Sequence, residues 1–196
     1  GTTTLAVNLS ILMTERSPGG TLLMELNTRQ SDVTTWLDLR PRFSIIDAFD
    51  NIERMDESFL QGLLVKHASG LWVLPGPTRM ERTHLGADQV HAGLEIIRSH
   101  FDEAILDLRH DLDPATLAAL EASDTIFFLT GLDVASLRSG AAGLAAFRHL
   151  GLDLNKVKVI VMREGTSDDV TVKHAQQALG IPIFWKTPSD YHTVVA

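Results

Sequence analysis

The chain of 196 residues contains no cysteine. Disulfides, thiolate zinc centres, iron–sulfur clusters and cysteine nucleophiles are excluded together, and the lack fits a reducing cytoplasm. Basic residues are outnumbered: Lys plus Arg total 17 against 25 for Asp plus Glu, a formal net charge of −8. A chain with that balance offers no broad phosphate-binding surface, so nucleic acid is not an expected partner. Long apolar runs are missing too. The longest, Thr125–Leu129 and Val157–Met162, fall far short of the ~20 residues of a membrane-spanning helix. Membrane contact is therefore expected only through partners or through segments outside this sequence. No charged leader followed by an apolar stretch opens the chain, and it begins at Gly1 rather than methionine, which reads as a fragment. The histidines (67, 84, 91, 100, 110, 149, 174 and 192) form no i, i+4 pair and no His-Glu-x-x-His, so no metal site is expected from them. No Gly-x-Ser-x-Gly elbow supports a serine hydrolase. Aromatics make up 6% of the chain, and Trp36, Trp72 and Trp185 are scattered over three segments, as packing residues are and a base-stacking platform is not.

What is present describes a globular chain. With 44% hydrophobic and 21% charged residues, a chain of this size buries roughly 70% of its unfolded surface around a substantial core. Residues 1–196 read as a single domain. Helical and strand signals alternate along it. Leu5, Leu9 and Leu12 sit at helical spacing, Ser17-Pro18-Gly19-Gly20 ends that helix, and Leu22–Met24 is a buried strand. Residues 51–67 read as a helical zone with Phe59, Leu60, Leu63 and Leu64 on one face, and Leu71–Leu74 as a strand stopped by Pro75-Gly76-Pro77. A helix over Asp88–His100 precedes the strand Glu103–Leu108. Asp113-Pro114 caps the next helix. Strand Thr125–Thr130 leads into a helix whose Val134, Leu137, Ala141 and Leu144 share a face, ended by Gly151. Strand Val157–Met162, a helix over Asp169–Leu179 stopped by Gly180, and strand Ile183–Trp185 complete the pattern. Apolar strands alternating with helices predict a doubly wound α/β fold, a mostly parallel sheet with helices on both faces. In such sheets ligands lie beyond the carboxyl ends of the strands, which directs attention to the residues after Leu26, Leu106, Thr130 and Met162.

Gly1-Thr2-Thr3-Thr4 enters a helix where a phosphate-binding loop would place its last glycine, a lysine, and a hydroxyl for magnesium. On spacing alone an ordinary helix cap is the commoner meaning. Asp107 ends a buried strand where a nucleoside triphosphatase keeps the carboxylate that orients magnesium, although a solvated loop acid is an equal reading. A Thr3 hydroxyl and an Asp107 carboxylate brought together would favour the first. Glu25 and Asn27 leave a core strand two residues apart. Arg109–Asp113 reads as a solvated loop more readily than as a substrate contact. Asp32–Leu39, with Trp36 and Leu37, reads as either a subunit contact or a satellite packing cluster.

Segments Gly1–Ser10, Leu22–Phe49, Asn51–Pro77, Phe101–Leu120, Gly131–Ser139 and Ile181–Val195 occur in the order found in the ParA/MinD family of deviant P-loop ATPases, which the chain resembles over nearly its whole length. The stretch Ser31–Leu64 resembles more narrowly the pilus-assembly branch, the CpaE/TadZ proteins. The resemblance implies a nucleotide pocket at the carboxyl edge of a parallel sheet and a dimer formed across it. It places nucleotide contacts at Gly1, Thr2, Thr3, Thr4, Asp107, Met162 and Arg163, magnesium at Thr3 and Asp107, and the family's acidic positions at Glu25 and Asn27. The family's signature lysine, early in the loop, would fall before Gly1.

The departures from the family pattern are specific. Gly-Lys-Thr-Thr reads Gly1-Thr2-Thr3-Thr4, so the amine that would meet β and γ phosphates is missing. Asp-x-Asp reads Glu25-Leu26-Asn27, and the base-reading Asn-Arg reads Met162-Arg163, whose thioether makes no directional hydrogen bond. Each lost group that stabilises transferring phosphoryl charge costs roughly 10²–10³-fold in rate. The expectation is a degenerate ATPase fold acting as a localisation or assembly factor for a Flp/Tad-type pilus or secretion machine. It is expected to be a cytoplasmic homodimer recruited to a cell pole or the inner face of the membrane. ATP or ADP with magnesium would be at most a weak ligand. The alternative is an active ATPase that switches between monomer and ATP-bound dimer.

Overall fold

A computed structural model describes residues 1–79, 85–165 and 170–189 of the chain. Its residues group into two compact units, Thr2–Ala122 and, with Gly1, Ser123–Ala196.

In the first unit, helix α1 (Thr2–Thr14) ends before the turn of Pro18 and Gly19, and the apolar run that follows becomes β1 (Thr21–Glu25), buried at every position. Two short helices come next, α2 (Val33–Trp36) and α3 (Ile45–Asp50), then a 3₁₀ turn (Ile52–Arg54) and α4 (Glu57–Leu63). Strands β2 (Val65–Lys66) and β3 (Trp72–Leu74), helix α5 (Ala87–His100), strand β4 (Glu103–Asp107) and helix α6 (Pro114–Ala122) complete the unit. The sheet order is β2-β3-β1-β4, with β3 and β4 both parallel to β1 and β2 antiparallel to β3.

Both faces of this sheet are covered, which explains why β1 is apolar without alternation. Leu22 and Met24 pack with Ile45 and Phe49 of α3, Leu94 and Ile97 of α5, and Ala118 and Ala119 of α6. Leu23 points the other way, into a cluster with Ala6 and Val7 of α1, Val33 of α2, Leu37 and Val73.

The 51–67 zone departs from its predicted form. Asp56 caps α4 by accepting from the Phe59 amide at 2.8 Å, so the helix starts there and not at Asn51. Val65 and Lys66 pair with Val73 and Trp72 across a short antiparallel hairpin, which helical periodicity does not reveal.

The second unit starts with β5 (Ile126–Thr130), followed by α7 (Val134–His149), a 3₁₀ turn (Leu154–Lys156), β6 (Val157–Glu164), α8 (Val172–Leu179) and β7 (Ile183–Pro188). Its sheet runs β5-β6-β7, all parallel. Asp133 caps α7 through the Ser136 amide at 2.8 Å. The buried face of α7 is Leu137, Gly140, Leu144 and Phe147, one step round from the predicted stripe, and Val134 is 67% exposed. Phe128 sets this rotation: a Cβ on Gly140 or Gly143 would lie 3.5 or 3.2 Å from its ring, so the glycines face the strand. Gly180 (φ 67°) ends α8 in the left-handed region, as its place after Leu179 predicts. Residues 166–169, which lead from β6 to the predicted helix and include its start, and His84 and His192, lie outside the described residues. Among those residues no helix is long and apolar enough to cross a membrane.

Candidate functional site

β1 and β4 run parallel in a register that sets Glu25 beside Asp107 at their carboxyl ends. The ladder continues one step further, where the Leu26 amide donates to the Asp107 carbonyl at 3.0 Å. Both acids are interior: Glu25 is 2% exposed and Asp107 6%. Buried carboxylates need partners, and the two find theirs differently.

Asp107 meets α1. The Thr3 hydroxyl, in the first turn of that helix, hydrogen-bonds its carboxyl. Burial pushes the Asp107 carboxyl up to about 6, the bond from Thr3 opposes this, and the nearby Glu25 and Asp32 carboxylates reinforce it. Thr3 and Asp107, whose meeting would favour the magnesium reading, are thus brought together, and the acid binds a proton more readily than an exposed aspartate.

Glu25 is held by the chain around it. One carboxylate oxygen accepts from the Ser31 hydroxyl at 2.5 Å and the Gly76 amide at 3.0 Å, and the other accepts from the Asp32 amide at 2.9 Å. Ser31 in turn accepts from the Thr34 amide at 3.2 Å, at the start of α2. Asn27 is also turned to local use, its amide donating to the Gln30 carbonyl at 2.6 Å and its side-chain oxygen accepting from the Arg29 amide at 3.0 Å. It closes its own loop.

The remaining candidates fall as follows. Gly1 and Thr2 are exposed, Thr3 and Thr4 half-buried, and a Cβ on Gly1 would meet nothing within 4 Å. Met162 and Arg163 belong to the second unit, on β6, at an irregularity in its pairing with β7. Arg163 has φ 57°, uncommon for a residue with a Cβ, and its amide donates to the Thr187 hydroxyl at 3.2 Å, which lies 3.6 Å from the Met162 sulfur. Arg109 pairs with Asp111 at 3.1 Å, and Asp113 accepts from the Thr116 amide at 2.8 Å, so residues 109–113 form a loop ending in a helix cap, as read from the sequence. Among the described residues no group of three or more His, Cys, Asp or Glu is placed to hold a metal.

Sequence reasoning missed Ser31, Asp32 and Gly76. Glu25 and Gly76 are 51 positions apart, and no local spacing carries that contact. The one available signal was Pro75-Gly76-Pro77 directly after a strand, where glycine between prolines marks a close approach of backbones.

No protein-family model matches the chain. A MinD-like septum site-determining protein of Oltmannsiellopsis viridis is 21% identical over 202 residues, covering 100% of this chain and 63% of that protein. The chain spans about 60% of the length of the curated relatives it matches. Among solved structures, a ParA family ATPase from Chlorobium tepidum superposes with a TM-score of 0.86 at 20% identity, covering 96% of this chain and 78% of that one. A chain of the MinC:MinD cell division complex of Aquifex aeolicus gives 0.79 at 19% identity, covering 98% and 78%. MinD of Pyrococcus horikoshii complexed with Mg-ADP gives 0.76 at 17% identity, covering 97% and 76%. The fold is that of the ParA/MinD P-loop ATPases, an α/β architecture of mostly parallel strands flanked by helices.

Proposed function

We propose that residues 1–196 form one ParA/MinD-type domain of a larger protein, with a degenerate nucleotide site. It acts as a localisation or assembly factor for a pilus or secretion machine of the CpaE/TadZ kind. The observation that carries the weak-ATPase reading is the state of Glu25. The carboxylate at the family's first acidic position accepts three hydrogen bonds from its own loops and is 2% exposed. With Asn27 occupied in its own turn, neither position offers a free carboxylate to a water.

One part of the site suits a nucleotide's metal. The Thr3 hydroxyl and the Asp107 carboxyl meet, and they would hold magnesium, whose charge would offset that of the phosphates. The phosphate side does not fit equally: Thr2 supplies no cation where the family has lysine. Mg-ATP or Mg-ADP is accordingly a weak structural ligand, and the protein works as a cytoplasmic homodimer that docks on partners of the machine. The Thr3–Asp107 pair favours the second reading, an ATPase switching between monomer and dimer, with a lysine before Gly1 restoring the phosphate contact.

Equilibrium titration of Mg-ATP into the full-length protein separates the two. No saturation up to millimolar nucleotide is expected, and a Kd near 1 µM, about −8 kcal/mol, would transfer support to the switch.

A further inference from the structure

Glu25 joins three stretches of chain: the end of β1, the loop that leads into α2 six residues on, and, 51 positions away, the Pro75-Gly76-Pro77 turn after β3. Two backbone bonds run alongside, from the Ser31 amide to the Pro77 carbonyl and from the Ile45 amide to the Pro75 carbonyl, both 2.8 Å. The approach is so close that a Cβ on Gly76 would stand 2.5 Å from the Asn27 carbonyl oxygen and 3.2 Å from Glu25. A buried charge in such a place is costly unless its acceptor capacity is used. Here three donors use it.

We propose that Glu25 is a positioning residue, a latch whose carboxylate holds the β1–α2 loop against the turn after β3 and so keeps the strand-end loops in one conformation whether or not nucleotide is present. The latch deepens the function proposed above and rests on it only for the part played by nucleotide. Its structural consequence follows from the bonds themselves. From Glu25 the order passes through Ser31 to the Thr34 amide, and α2 buries Val33 and carries Trp36 outward, 48% exposed. A loop fixed in this way presents the same surface at all times, the property a nucleotide-independent docking protein needs.

The test is amide hydrogen exchange on the full-length protein with Glu25→Gln. A glutamine amide nitrogen cannot accept a hydrogen bond, so at least one of the three donors loses its partner. Exchange at Asp32 and Gly76 and across residues 27–37 is expected to rise about tenfold or more, while amides 90–97 of α5 keep their protection. Gly76→Ala provides a second route, since its methyl group wedges the loops apart with the carboxylate intact, and it is expected to produce the same local loosening. In the unaltered protein Mg-ATP leaves exchange over 27–37 unchanged. Protection retained over 27–37 in both variants would overturn the latch, as would a change in that segment on adding Mg-ATP to the unaltered protein. Turnover is read separately. Brisk ATP hydrolysis with exchange at 27–37 indifferent to nucleotide would remove the weak-ATPase reading and leave the latch standing.

Discussion

Thr2→Lys is expected to tighten Mg-ATP binding to the full-length protein by about 10- to 100-fold. A hydrogen bond to a charged group contributes roughly 1.5–3 kcal/mol, and the substitution restores an amine at the family's lysine position. Thr2 is exposed at the first residue of α1, so the longer side chain displaces no core packing and the fold is expected to tolerate it. Helix propensity is no obstacle, because lysine is a better helix former than threonine. Three threonines in succession supply hydroxyls at this helix start but no charge. The readout is calorimetric titration of the two proteins side by side, with saturation expected for the variant in a range of Mg-ATP where the unaltered protein shows none. Equal affinities would mean that position 2 does not face phosphate, and the proposed degeneracy would lose its first element.

Asp107→Asn is expected to stabilise the folded protein at pH 7.5, and the advantage is expected to vanish near pH 4. The carboxyl is raised to about 6 by burial, against an ordinary value of 3.8. Above pH 6 the folded state carries a buried charge that the unfolded chain would rather solvate. Below 3.8 the group is protonated in both states. The stability contributed by the neutral acid is therefore fully present at low pH and is lost as pH rises through 6. About two pK units correspond to a difference on the order of 3 kcal/mol. Asparagine is neutral throughout and keeps an acceptor for the Thr3 hydroxyl. Urea unfolding of both proteins at pH 4, 5, 6 and 7.5 without magnesium measures the effect. Parallel pH profiles would show that Asp107 is not the group with the raised pKa. Magnesium at Thr3 and Asp107 would favour the ionised form, so its addition at pH 7.5 is expected to narrow the gap only where the metal binds.

Much of the fold was legible because the relevant signals are local. The apolar run Leu22–Met24 marks β1, Asp113-Pro114 marks the start of α6 with its Thr116 bond, and Gly180 marks the end of α8. Each depends on the residue itself and its immediate neighbours. Where the structure departs from these expectations, pairing and packing with other elements decided. The pairing of Val65 and Lys66 with β3 ended a zone that helical spacing alone would continue. Phe128 turned α7 so that its two glycines face the strand, leaving Val134 in solvent. The short helices α2 and α3 went unread because each spans six residues or fewer, too short to show a helical period.

The site divides along the same line. Thr3 and Asp107 could be paired from the sequence, since a helix start and a strand end meet at one edge of a parallel sheet. The part played by Glu25 could not, because the Gly76 amide comes from the turn after β3, 51 positions along the chain. From the sequence, Asp32–Leu39 reads as either a subunit contact or a packing cluster. Val33 and Leu37 are core residues and Trp36 is exposed, so the segment packs through one side and presents the other.

Nucleotide-independent assembly is read from the mass of the full-length protein in sedimentation equilibrium, with and without millimolar Mg-ATP. A dimer with the same dissociation constant is expected in both conditions. A monomer that becomes a dimer only when Mg-ATP is added would contradict it and establish the switch.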